Sequence, residues 1–277
     1  MSRPMSYPQH ARAVIRLGAP LVGSQLAQVA IQTTDTLMLG WYGVTELAAV
    51  TVATALYFFI FILGAGLAWA VVPLAAAAAE LDDRTQVRRV TRMGRWAGLV
   101  FCVPAIPVLL AGGWLLAWMG QDPDVARLAG NYLTIAAWML IPALVVMVLR
   151  SFLSALELTQ VVLWVTVGAA GLNVVLNYAF IFGNLGAPEL GVRGAALASV
   201  TITTASALAL LVYILRRLPE YDLLRRLWRP DWSAVARVFQ LGWPIGRTNI
   251  AEVGVFGLSA LLVGWLGAVP LAAHGIA

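Results

Sequence analysis

Long apolar runs alternate with short polar stretches from one end of the chain to the other. The runs cover roughly 17–40, 47–79, 94–119, 126–149, 161–183, 194–215 and 241–266, and an eighth begins near Leu271. A helix rises about 1.5 Å per residue, so about 20 apolar residues cross a hydrocarbon core of about 30 Å. Each of the seven complete runs reaches that length, and the pattern predicts seven membrane-spanning helices. The first is longer than the apolar part of a cleavable signal and carries polar residues, so it reads as a retained span. The second is too long for a straight crossing and predicts tilt or an extension beyond the bilayer. Pro20, Pro73, Pro104, Pro107, Pro142 and Pro244 fall in or near the runs. Proline removes a backbone donor, so these positions predict helix bends, with Pro20 and Pro244 as a matched pair.

The polar residues inside the runs carry the chemistry. Asp35 and Glu252 are carboxylates in apolar spans, where a charge costs about 2.5–3.5 kcal/mol even on lenient scales. Each must be paired, protonated or turned to a cavity. Gln25, Gln28, Gln32 and Asp35 share one helical face, bordered by Thr36. Such a stripe lines either a wet cavity or another helix. Asn173 and Asn177 lie one turn apart, with Thr166 on nearly the same face. Their amide oxygens suit a hard cation such as Na⁺ or interhelical hydrogen bonds equally. Ser199, Thr203 and Ser206 follow helical spacing, which marks close packing or a polar cavity wall. Thr248, Glu252 and Ser259 form a comparable face in the seventh run.

The connections give a direction. Arg3, Arg12 and Arg16 precede the first run; Arg84, Arg88, Arg89, Arg92 and Arg95 follow the second. Arg150 closes the fourth run, and Arg216, Arg217, Arg225, Arg226, Arg229 and Arg237 follow the sixth. All fall on one side of the predicted membrane. The other side offers Arg127 and Arg193 beside Asp122, Asp124 and Glu189. The positive-inside rule then predicts a cytoplasmic N-terminus. In the connection 216–240, Asp231-Trp232-Ser233 is placed to cap a short amphipathic helix over 234–240, or the segment is an ordinary loop.

Composition agrees with this picture. Hydrophobic residues make up 61% of the 277 and charged residues 11%, under half of an ordinary soluble domain's share of about 25%. The net charge of +5 comes from arginines grouped between apolar runs, which suits membrane orientation and not nucleic-acid binding. Cys102 is the only cysteine, which rules out an internal disulfide, and the two histidines, His10 and His274, stand at opposite ends. No Walker loop, nucleophile elbow or His-based metal motif is present. That argues against ATP-driven transport, an enzyme and a resident cofactor.

The chain also repeats itself. Residues 17–53 align with 241–277 at a constant offset of 224 without a gap. Leu17/Leu241, Gly18/Gly242, Pro20/Pro244, Gly40/Gly264, Trp41/Trp265, Gly43/Gly267 and Leu47-Ala48-Ala49/Leu271-Ala272-Ala273 are identical pairs. Six spans separate the copies, so both enter from the same side as a parallel repeat. The predicted fold is an all-α integral membrane protein. It has a first six-helix lobe (1–215), a connection (216–240) and the start of a second lobe (241–277). A complete second copy would end near residue 448, so the chain reads as part of a longer protein.

Several motifs together resemble the multidrug and toxic compound extrusion (MATE) family, in its NorM-like branch. They are Pro20 with Asp35-Thr36, Gly40, Gly43 and Leu47-Ala48-Ala49; Arg150-Ser151-Phe152 with Leu158-Thr159; Asn173 with Asn177; the run from Gly183 to Ala196; and Leu241-Gly242, Pro244 and Glu252. The resemblance implies two six-helix lobes around a central cleft and a multi-pass protein of the bacterial inner membrane acting as a monomer. It implies export of organic, often cationic, compounds against Na⁺ or H⁺ entry. Asp35, Asn173, Asn177 and Glu252 would bind the coupling ion, with any Na⁺ at Asp35, Asn173 and Asn177. Gln25, Gln28, Gln32, Thr36, Ser199 and Thr203 would line the cavity. A flippase for lipid-linked precursors is an alternative with similar lobes, but it predicts a more cationic cavity. A non-transporting receptor or membrane enzyme is a third reading.

Overall fold

The computed structural model describes residues 7–224 and 228–276, so the arginines predicted at positions 3, 225 and 226 lie outside the described residues. The chain forms α1 (Tyr7–Tyr42), α2 (Val44–Trp69), α3 (Val71–Glu80), α4 (Arg84–Leu110) and α5 (Gly112–Trp118). It continues through α6 (Pro123–Ala155), α7 (Thr159–Phe182), α8 (Val192–Arg217), α9 (Trp232–Val263) and α10 (Ala268–Ile276). Among the described residues no strand forms, as the all-α reading predicts. Five segments are long and apolar enough to cross a membrane: Val44–Glu80, Arg84–Leu110, Pro123–Ala155, Thr159–Phe182 and Val192–Arg217. The first and seventh predicted spans correspond to α1 and α9, at 36 and 32 residues. They are equally long but carry the polar stripe and the Glu252 face.

The long second span is broken rather than simply tilted. Its helix stops at Trp69 and resumes at Val71, with Pro73 in the first turn of α3. The proline ring cannot accommodate the carbonyl four residues back, which is that of Trp69. The third span starts at Arg84, ten residues before the predicted 94, and breaks at Ala111, shortly after Pro104 and Pro107. Past this break α5 lies close on α6, where a Cβ on Gly113 would meet the Gly130 Cα at 2.9 Å.

The core lies among α2, α4 and α6. Small buried residues dominate it: Ala48, Ala49, Ala53, Ala65, Ala68, Ala97, Ala129, Ala136 and Ala137. Lipid is as apolar as leucine, so helices associate in it through close van der Waals packing of small residues. Leu67, Met93, Leu133, Leu140 and Phe152 fill the gaps between them. Around this core α8 packs on α6, and α7 packs on both α8 and α1.

The repeat appears as geometry. In the first copy α1 ends at Tyr42, Gly43 follows and α2 begins at Val44; in the second, Leu266 closes a short 3-10 turn, Gly267 follows and α10 begins at Ala268. Adding 224 to each residue of the first junction gives the second. Leu47 and Ala48 are buried, as are Leu271 and Ala272.

Arg89 and Arg95, on α4, reach Asp231 and the Leu223 carbonyl in the connection between α8 and α9. At the far end Arg193 donates to Asn131 at 3.1 Å. In the connection, 234–240 is not a separate surface helix: α9 runs unbroken from Trp232 to Val263, passing Pro244. Asp231 does cap it, accepting from the Ala234 amide at 3.2 Å and the Ser233 hydroxyl at 2.6 Å. Arg89 Nε adds a bond at 2.9 Å. These partners, Ser233 first, hold the Asp231 carboxyl down at about 2. A carboxyl held below its ordinary range stabilises the fold fully above about pH 4, and that contribution fades as the pH falls toward 2. Asp231→Ala is expected to cost about 1 kcal/mol through the lost cap. Thermal unfolding of the detergent-purified protein at pH 7 and at pH 3 checks this, with the wild-type advantage smaller at pH 3.

Candidate functional site

The site forms where α1 meets α7. Asn173 and Asn177 stand one turn apart on α7, and both side chains are fully buried against α1. Asp35 lies near the C-terminal end of α1, half-buried. Asn173 Nδ2 donates to Asp35 Oδ1 at 2.8 Å, and Asn177 Nδ2 donates to the same oxygen. One carboxylate oxygen therefore takes two amide donors, which leaves Oδ2 outside this pair of bonds.

The unmet atoms are the informative ones. The Oδ1 oxygens of Asn173 and Asn177 are buried and have no hydrogen-bond partner. A buried acceptor left unpaired costs about 1–3 kcal/mol. Two amide oxygens and a carboxylate oxygen together ask for a hard cation or for protons. A single carboxylate matches a monovalent charge. Among the described residues no group of three or more His, Cys, Asp or Glu side chains could hold a metal of higher charge.

Two residues extend the site. Tyr132 of α6 is buried within electrostatic reach of Asp35, and its hydroxyl is hydrogen-bonded with Ser199 of α8. Ser199 was among the cavity residues expected from the sequence. Tyr132 was not, although a tyrosine inside a span calls for a partner for its hydroxyl. The other expected residues contribute less. Gln25 and Gln32 are exposed and Gln28 is half-buried, on the part of α1 that precedes Asp35. The Thr36 hydroxyl bonds back to the Gln32 carbonyl at 2.9 Å, and Thr203 bonds back to Ser199 at 2.7 Å. Thr166 likewise bonds to the Val162 carbonyl at 2.8 Å. Glu252 is exposed on α9, which packs on α2 and α4, so the structure does not bring it to Asp35. Pro20 is buried within α1, and Pro244 is exposed within α9.

The connection between α7 and α8 holds the end of α1 in place. Gly183 takes a left-handed φ of 71° to close α7, and a side chain there would also strike Glu189. Glu189 Oε1 then accepts from the Tyr42 hydroxyl at 3.0 Å, seven residues beyond Asp35.

A family model described as MatE matches residues 20–179, a span that holds Asp35, Tyr132, Asn173 and Asn177. The chain belongs to the MatE family. It is 49% identical over 275 residues to a probable multidrug resistance protein NorM of Rhizobium meliloti (strain 1021), covering 98% of this chain and 59% of that protein. It is 40% identical over 274 residues to the like-named protein of Agrobacterium fabrum (strain C58 / ATCC 33970), again covering 98% and 59%. The crystal structure of the eukaryotic MATE transporter AtDTX14 superposes with a TM-score of 0.79 at 21% identity, over 92% of this chain and 56% of that one. That likeness establishes the fold. This MatE chain is a multi-pass membrane protein, and it spans about 59% of the length of the curated relatives it matches.

Proposed function

We propose that the whole protein is a cation-coupled antiporter that exports organic, often cationic, compounds across the bacterial inner membrane. The observation that carries this reading is Asp35 held by Asn173 and Asn177 while both amide oxygens stay buried without a partner. Na⁺ would take those oxygens together with the carboxylate; a proton on Asp35 would instead supply a donor to one of them. Either ion neutralises Asp35 and weakens the charge-assisted bonds that tie α1 to α7. The ion thereby acts on the contact between the two helices. One charge moving inward across 100 mV supplies about 2.3 kcal/mol, enough to drive a modest uphill efflux. The substrate class follows the relatives of this chain that are named as probable multidrug resistance proteins.

The same reading places residues 1–215 in a first lobe and 241–277 in a second, joined by 216–240, with the arginine-rich end in the cytoplasm. The protein works as a monomer. Pro20 and Pro244 are the proposed bend points of α1 and α9, and Glu252 is a proposed cation- or proton-binding carboxylate of the second lobe.

Inverted vesicles carrying the whole protein provide the test. Uptake of a fluorescent organic cation is measured with a Na⁺ gradient and a pH gradient imposed one at a time. Uptake that follows one gradient and collapses when it is dissipated is the expected result and names the ion. Uptake indifferent to both gradients would overturn the coupling.

A further inference from the structure

A cleft of about 520 Å³ opens at the arginine-rich end, between the first turns of α4 and the entry to α9. Arg88, Arg89 and Arg92 of α4 face Arg229, Asp231 and Trp232 across it. Four guanidinium groups thus share a space with one carboxylate, which is already bonded to Arg89. Guanidinium groups gathered around one space favour an anion among them. Arg88 and Arg92 stand at i and i+4, where like charges repel.

We infer that this cleft binds the phosphate of an anionic phospholipid headgroup. Guanidinium forks match phosphate oxygens two at a time, which selects phosphate over a halide or a lone carboxylate. The rim points to a lipid as the source. Trp232, which lines the cleft, is 61% exposed, and Trp228, next in sequence to Arg229, is 75% exposed. Tryptophan with its apolar body at a protein surface suits the headgroup level of a bilayer. Trp96 braces the Trp232 ring, with centroids 6.5 Å apart. From this cleft α4 enters an apolar segment long enough to cross a membrane, so the cleft sits where the span begins. A basic pocket among helices at that depth recognises a phosphodiester with net negative charge, such as phosphatidylglycerol or cardiolipin, over a zwitterionic lipid. The bound headgroup would tie α4 to the start of α9 alongside the Arg89–Asp231 pair. This site is separate from Asp35 and does not depend on which ion is coupled.

The test is native mass spectrometry of the purified protein in detergent, titrated with phosphatidylglycerol, with phosphatidylcholine, and with phosphatidylglycerol in the presence of millimolar inorganic phosphate. Phosphatidylglycerol is expected to bind roughly tenfold or more tightly than phosphatidylcholine. The double variant Arg88→Gln with Arg229→Gln is expected to lose that preference, while Arg127→Gln at the opposite end keeps it. Equal binding of the two lipids by the wild type, or an unchanged preference in the double variant, would overturn the site. Displacement of the lipid by inorganic phosphate would assign the cleft to a free anion and overturn the lipid as its occupant. Should the double variant fail to fold, Arg229→Gln alone, at the exposed arginine of the cleft, is expected to weaken the preference, and an unchanged preference there would also overturn the proposal.

Discussion

Asp35→Asn is expected to reduce gradient-driven efflux to background while leaving the protein as stable as wild type, or more so. The two readouts move apart because the carboxylate does different things in folding and in function. In folding it is a charge placed in an apolar span, and such a charge costs about 2.5–3.5 kcal/mol. Asparagine has nearly the same shape, and its amide oxygen can accept the same bonds from Asn173 and Asn177 that Asp35 Oδ1 accepts now. A neutral group of equal volume at this position removes that cost. In the proposed mechanism the charge is what holds the ion. At an effective dielectric of about 20, two unit charges 4 Å apart attract by about 4 kcal/mol, so removing one weakens ion binding by roughly 100-fold or more. A residue that merely packed α1 on α7 would lose stability and transport together. Efflux assays beside thermal unfolding of the same preparations separate the cases, and wild-type efflux in Asp35→Asn would sink the proposed mechanism.

The members of this site were legible in the sequence for one physical reason: each is a polar group that an apolar span cannot leave unmatched. That argument picks out Asp35, Asn173 and Asn177 singly. It cannot say that they meet, because periodicity assigns faces to helices without saying which helices are neighbours. Contact between the first and fifth predicted spans is a tertiary fact, set by the packing of α1 on α7. Tyr132 was hidden for the opposite reason. An aromatic ring fits an apolar span, and only the surroundings of its hydroxyl distinguish it from Tyr57, which is also buried. Thr36 and Thr203 looked like cavity groups, yet their hydroxyls bond to their own helices, the commonest way for a threonine in a span to find a partner. The order of the apolar helices was legible because span length is fixed by bilayer thickness. The breaks at Ala70 and Ala111 were not, because a proline's position allows a bend without requiring an interruption.

Gly242 and Gly246 lie one turn apart on α9, and both face Gly66 of α2. A methyl group on Gly66 would lie 2.6 Å from the Gly242 carbonyl oxygen and from the Gly246 Cα, and it would also strike the Gly246 amide nitrogen. Backbone atoms on both sides leave no flexible side chain to move aside, so α2 and α9 would have to separate. Small residues spaced at i and i+4 let membrane helices approach this closely, and the approach itself supplies the attraction. Gly66→Ala is therefore expected to destabilise by about 2–3 kcal/mol, toward the upper end of overpacking costs. Gly168 of α7 makes the control, because a methyl there meets nothing within 4 Å. Removing glycine's backbone freedom in a helix interior stabilises by roughly 0.5–1 kcal/mol, so Gly168→Ala is expected to raise stability. The same one-carbon change should thus carry opposite signs at two glycines. Thermal unfolding of both variants in one detergent checks it, and a Gly66→Ala protein as stable as wild type would mean that α9 does not pack on α2 through these backbones.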